Sequence, residues 1–297
     1  MAAIAESTAP PDLREQPSWR RTKNRIMTGL MIVALMVVIV PLGFVIWTVI
    51  ANGVSAINWS FLTSDIPLNV SPPGVGGMGP AILGTIEIVA LATVLAVPLG
   101  VLAAVYLVEY GGKRPLARVI AFMGDVMTGV PSIVMGLFIF TIWVLNFGYS
   151  GLAGSLALGC LMLPVVIRSG EEMLKLVPDS LREASYALGA SKARVVMTVV
   201  LPAALGGIVS GALLAVARAA GETAPLLFTI FVTQTPNFDV FHGNNTSLPS
   251  QIFVNAQSPY IGAQQRSWGA ALTLVAIAFI LMIAARVITA RFTKYLR

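Results

Sequence analysis

The stretch RSGEEMLKLVPDSLREASYALGASKARVVMTVVLP, residues 168–202, is a charged elbow set between two apolar runs. Ser180 is followed at the third position by Glu183, the pattern of a capping box at a helix start. From there Leu181, Ala184 and Leu188 recur at helical spacing and make a short apolar face. Gly189 permits a turn, and Ser191 is placed to start a second helix. Such an elbow is more ordered than a tether needs to be. It is either a surface helix protecting what lies beneath it or a helix whose small, apolar side enters a partner's groove.

What flanks the elbow sets the fold. The chain has 297 residues, 57% hydrophobic and 11% charged, against roughly 25% charged in an average soluble domain. Six apolar regions can be drawn, at 27–50, 81–108, 120–145, 152–168, 198–232 and 267–289. A helix of about 20 residues crosses a hydrocarbon layer about 30 Å thick. Most regions meet that length. The fourth is short, and the fifth is over-long and interrupted by glycine and proline, which predicts a broken helix or an additional short element. The expected fold is all-α, a polytopic membrane bundle of about six transmembrane helices. Its expected parts are a cytoplasmic tail at 1–25 and a transmembrane domain at 26–297, with a cytoplasmic loop at 171–197 and an extracytoplasmic loop at 233–266. The run after the tail is longer than a cleaved signal's and lacks a small-residue cleavage site, so it reads as a retained first span.

Basic residues orient the bundle. Of the 19 lysines and arginines, all but Arg218 and Arg266 fall on one side of a six-span scheme. The positive-inside bias places that side, with both termini, in the cytoplasm. The net charge of +6 is explained there rather than by nucleic acid, because no basic patch is interleaved with aromatics. The first outer connection, ANGVSAINWSFLTSDIPLNVSPPGVGGMG at 51–79, has no lysine or arginine and ends in glycine and proline turns. A short interfacial helix is expected at 57–62, with Trp59 and Phe61 at the headgroup boundary. The outer connection at 233–266 is polar and long enough to touch a partner or form a lid.

Charges inside the apolar regions carry the chemistry. In RAAGETAPLLFT, residues 218–229, a continuous helix would bring Arg218 and Glu222 onto one face. Intramembrane charges face a partner or an aqueous cavity. The two are a structural pair, a station on an anion path or a site at the outer interface. In the second reading arginine's planar fork grasps an oxyanion and Glu222 balances it when the path is empty. Glu87 and Asp125 line a polar path or make interhelical hydrogen bonds. Pro98, Pro131, Pro164, Pro202 and Pro225 mark bends or ends of helices, and Gly207 and Gly211, one turn apart, allow close helix contact. Cys160 is the only cysteine, which excludes a disulfide within the chain. His242, the only histidine, sits in a polar loop without companion ligands and reads as a surface residue. No nucleotide phosphate-binding loop is present: YGGKRP at 110–115 lacks the spacing. Energy for any transport comes from a partner or an ion gradient.

The segment EASYALGASKARVVMTVVLP, residues 183–202, resembles the EAA loop of permease subunits of ATP-binding-cassette importers. Glu183, Ala184 and Gly189 match its most distinctive positions and Leu201 with Pro202 its end, while Ser185 replaces the usual second alanine. GTIEIVALATVLAVPLGVLAAVYLVEY (84–110), VPSIVMGLF (130–138) and RAAGETAPLLFT resemble membrane segments of the PstA type of phosphate permease. The resemblance implies a type I importer permease fold in the bacterial plasma (inner) membrane, and a transporter subunit rather than an enzyme. It implies inorganic phosphate as substrate, with Arg168, Glu171 and Arg218 matching charged positions of its passage and Glu222 beside them. It implies that Leu181, Glu183, Ala184, Leu188 and Gly189 meet a separate ATPase. The implied partners are a second, similar permease, two nucleotide-binding ATPase subunits, an extracytoplasmic phosphate-binding protein and the lipid bilayer. This chain would bind no cofactor, ATP and Mg2+ being used by the ATPase. The alternatives are a permease for another oxyanion such as sulfate or molybdate, and a secondary transporter driven by an ion gradient.

Overall fold

The computed structural model describes residues 18–295, and every regular element among them is helical. The chain divides into two compact units at Ile50, inside helix α1 (Ser18–Gly53). Up to that residue α1 stands as a unit by itself. After its basic first turns, from Ile26 on, it is apolar all round and contains Pro41, the pattern of a helix whose surroundings hold no water.

The second unit carries all the other elements. A short helix α2 (Trp59–Thr63) precedes α3 (Gly79–Val105), which runs on through a wider π turn at Tyr106–Gly111. Helix α4 (Pro115–Gly129) is followed by α5 (Ser132–Ile139), prolonged through Phe140–Val144 into α6 (Leu145–Phe147). Next come α7 (Gly151–Lys175), the elbow helix α8 (Asp179–Ala187), and α9 (Lys192–Val195), which leads through Val196–Val200 into α10 (Leu201–Ala220). The short α11 (Ala224–Thr229) and α12 (Leu248–Ala256) precede the long α13 (Ile261–Tyr295). Among the described residues five helices are long and apolar enough to cross a membrane, and the bent pair α4 and α5–α6 makes a sixth if counted as one span.

Several elements depart from the sequence expectation. The region 120–145 is not one straight helix: its halves meet at 109°. Val130 is extended (φ −75°, ψ 125°) ahead of Pro131, because a proline ring crowds the preceding residue out of the helical region and supplies no N–H. The fourth span is not short, since α7 continues past Arg168 to Lys175, its charged turns held by pairs described below. In the fifth region α10 ends at Ala220 and α11 restarts after a three-residue break with Pro225 in its first turn, the interruption that glycine and proline there imply. In α2 the cap is Asn58, whose Oδ1 accepts from Phe61 N–H at 2.7 Å. Trp59 is exposed, but Phe61 is buried against Ile66, Met78, Leu248 and Ala270 and is no interfacial anchor. Residues two apart on a helix point to different sides.

Helix α7 is central, with α3 and α10 packed on it. Ile88, Ala92 and Ala96 of α3, Leu158, Met162 and Val166 of α7, and Ala215 and Ala219 of α10 form one buried cluster. Lipid tails are as apolar as side chains, so helices associate by close fit rather than by escape from water. Gly207 and Gly211 supply that fit: an added Cβ would run into Met173 and Ser169 of α7 respectively. The outer connection is tucked in. Leu248, Ser250, Gln251 and Asn255 of α12 are buried, and Leu248 N–H donates to Thr85 Oγ1 of α3 at 2.8 Å.

Candidate functional site

Three charged residues emerge where α7 leaves its apolar stretch. Spacings of three and four put Arg168, Glu171 and Lys175 on one face. Arg168 Nη1 donates to Glu171 Oε2 at 2.9 Å, and Lys175 Nζ donates to Glu171 Oε1 at 2.6 Å. Arg168 Nη2 reaches across to Asp125 Oδ1 of α4, so Asp125 makes an interhelical bond. Glu171 is thus held by two cations, while the Arg168 side chain remains 40% exposed. An incoming oxyanion would compete with two carboxylates for the guanidinium fork, an arrangement that favours exchange over storage.

Arg218 lies in the last turn of α10, with Nε 3.7 Å from Glu222 Oε1. That separation is looser than a hydrogen bond. The helix is not continuous across the pair, but Glu222 N–H bonds Ala219 O at 3.1 Å and carries the turn far enough to keep the two together. The Arg218 side chain is 73% exposed: in this chain the charge is open rather than buried. Gly211 packs against Ser169, the neighbour of Arg168. The climb along α10 from Gly211 to Arg218, at about 1.5 Å per residue, therefore separates the two arginines by about 10 Å along the helix axis.

The elbow helix α8 is built differently from the capping-box reading. Its N-cap is Pro178, no side chain caps it, and Ser180 lies inside the first turn. Pro178 pre-sets the entering backbone (φ −59°), and Asp179 places a carboxylate at the N-terminal end of the dipole. Arg182 does the anchoring. Its guanidinium donates to Val177 O at 2.6 Å, Leu174 O at 3.0 Å, Asp179 Oδ1 at 3.0 Å and Glu109 Oε1 at 3.0 Å. Glu109, whose side chain is 6% exposed, sits in the π turn that ends α3. A second tie to that turn is Lys192 Nζ, 5.1 Å above the Tyr110 ring. At its other end α8 closes on Gly189 (φ +79°), with Gly189 N–H on Tyr186 O at 2.9 Å and Ala190 N–H on Ser185 O at 3.2 Å. This is the paired closure that glycine permits.

The helix so fixed leaves Leu181, Glu183, Ala184 and Gly189 exposed, and Leu188 is 88% exposed. Sequence spacing does not pair Arg182 with Glu109, although Glu109 is the only acidic residue between Glu87 and Asp125, a signal that it has a partner. His242 Nδ1 lies 3.1 Å from Asp239 Oδ2 in the exposed outer connection, Cys160 is free and half-buried, and no cluster among the described residues could hold a metal ion.

Residues 96–294 match the family of binding-protein-dependent transport system inner membrane components. The phosphate transport system permease protein PstA 1 of Mycobacterium tuberculosis (strain CDC 1551 / Oshkosh) is 45% identical over 289 residues, 96% of this chain and 95% of its own. The phosphate transport system permease protein PstA of Yersinia pestis is 41% identical over 289 residues, 96% of each chain. Among solved structures, an inward-facing form of the MetNI methionine ABC transporter superposes with a TM-score of 0.56 at 22% identity, over 72% of this chain and 97% of that one, a likeness of fold. Long apolar helices around α7, an exposed elbow between α7 and α10, and these relatives agree: the chain belongs to the inner-membrane permease family of binding-protein-dependent transport systems, alongside its PstA phosphate permeases.

Proposed function

We propose that this chain is the permease subunit of an ATP-driven importer that moves inorganic phosphate into the cytoplasm by alternating access. One observation carries the reading: α8 presents Leu181, Ala184 and Leu188 outward while Arg182 fastens its other side to Glu109. A pushing partner would find an apolar grip on a lever that cannot detach cheaply. Removing one member of a buried pair costs on the order of 3–5 kcal/mol, so α8 moves with α3 and α7. Two ATPase subunits, one on this chain and one on a second, similar permease, supply the push. ATP and Mg2+ belong to them, and this chain breaks no bond and holds no cofactor.

Phosphate released by an extracytoplasmic binding protein descends past Arg218 and then Arg168. At each level a carboxylate, Glu222 or Glu171, takes the guanidinium back once the anion has left. The two states differ in which contacts each arginine makes, the differential that a population switch requires. Both termini lie in the cytoplasm, as the distribution of basic residues indicates.

Uptake of labelled phosphate into proteoliposomes containing both permeases, the ATPase and the binding protein tests this. Transport should require ATPase and ATP and survive excess sulfate or molybdate. Arg168→Lys, which keeps the charge but loses the fork, should lower uptake about 10–100-fold with assembly intact, the equivalent of one charge-assisted hydrogen bond. Transport without the ATPase, or loss of uptake to sulfate alone, would overturn the proposal.

A further inference from the structure

Arg266 is the one outer-loop basic residue in the six-span scheme, and in the structure it lies in the first turns of α13 with only 3% of its surface exposed. Its Nη2 approaches Leu68 O at 3.4 Å, while Nε and Nη1 have no partner among the described residues. It takes part in none of the ion pairs there. A guanidinium does not shed its charge by losing a proton at physiological pH, so burial demands an opposite charge from elsewhere.

Beside it lies a cavity of about 30 Å³ lined by Asn58, Gly74, Gly76, Gln265 and Arg266, among others, and no carboxylate is among the lining residues. Asn58 has committed its Oδ1 to capping α2, which leaves its amide nitrogen as the end able to donate. The buried Oε1 of Gln265 has no partner; rotating that amide exchanges its oxygen for a second donor. Ser55, also in the wall, has its hydroxyl turned to Asn52 O at 3.2 Å. Size chooses the ligand. A volume of about 30 Å³ holds one or two water-sized particles, a size that suits a monatomic anion.

We propose that this cavity is a chloride site, in which Nε and Nη1 of the buried Arg266 hold the ion against the amides of Asn58 and Gln265. The bound ion fastens the outer connection to α13. The two already touch where Leu68 O meets Arg266 and where Gly262 packs against Ser71 and Pro72.

The assembled complex, exchanged from gluconate into chloride at constant ionic strength, tests the assignment. The thermal midpoint should rise saturably by about 2–4 °C, and Arg266→Gln should abolish the rise. A crystal of the wild-type complex soaked in bromide should show an anomalous peak in contact with the Arg266 guanidinium, a readout that stands even if the variant fails to assemble. A midpoint indifferent to chloride, or a cavity holding water only in the bromide crystal, would overturn the site. Neither readout depends on which anion is transported.

Discussion

Arg182 and Glu109 stand 73 positions apart in sequence and meet through two hydrogen bonds, which makes them the side chains on which the elbow turns. Glu109→Ala removes the buried counter-charge of Arg182 and leaves it only the exposed Asp179 carboxylate. The expected loss is about 3–5 kcal/mol, read as a lower midpoint of the detergent-purified complex. Replacing both residues by methionine should cost far less than the sum of the single changes, since packed apolar groups need no counter-charge. An additive cycle would show the pair to be incidental. In the outer connection the His242 ring, followed by the Phe241 N–H, bonds the Asp239 carboxylate and holds its pKa below the ordinary range. A depressed carboxylate contributes order that is fully present above its unfolded pKa of about 4 and is lost as pH falls through its lower folded value. Asp239→Asn should therefore speed amide exchange at Phe241 and His242 at neutral pH, and the difference from wild type should vanish in acid. Neither Arg182 nor Asp239 announces these roles in sequence. Arg182 reads there as one more basic residue of a cytoplasmic loop.

Helices in this protein meet where side chains are smallest. Gly211→Val would drive a branched side chain into both Oγ and Cβ of Ser169. Overpacking of this kind costs about 1–3 kcal/mol, and because Ser169 adjoins Arg168, phosphate uptake should fall further than the midpoint does. Unchanged uptake would mean that α7 and α10 do not transmit position to the charged turn. The glycine spacing that permits this contact is legible in sequence, as is the proline at 131. Which helix meets the glycines, and the 109° between the two halves at that proline, are not: a proline specifies that a helix stops, while neighbouring elements specify where the chain goes next. Helix α12 shows the same limit. The connection that holds it, 233–266, reads in sequence as polar and long enough to touch a partner or form a lid, yet Ser250, Gln251 and Asn255 are buried, their amide donors matched to one another and to the backbone. Asn255 Nδ2 donates to Gln251 O at 2.8 Å and Oε1 at 2.9 Å, and Gln251 Nε2 to Thr246 Oγ1 at 3.0 Å.

For the molecule as a whole, orientation is the first thing to check. With Cys160 replaced by serine, a membrane-impermeant thiol reagent should label Leu188→Cys only from the cytoplasmic side and Phe238→Cys only from outside; both positions are exposed. Labelling of Leu188→Cys from outside would put the elbow beyond reach of any ATPase. Apolar length, the one-sided placement of lysine and arginine, and the elbow between two spans were determined by the sequence alone. Each is a sum over neighbouring residues that partitions against hydrocarbon or water without reference to the rest of the chain. Tertiary structure alone decided which charges pair, as in Arg168 with Asp125 and Arg182 with Glu109, and which charge, Arg266, is buried without a counter-charge among the described residues. Those outcomes depend on which helix faces come together, and a face has no partner until the bundle closes.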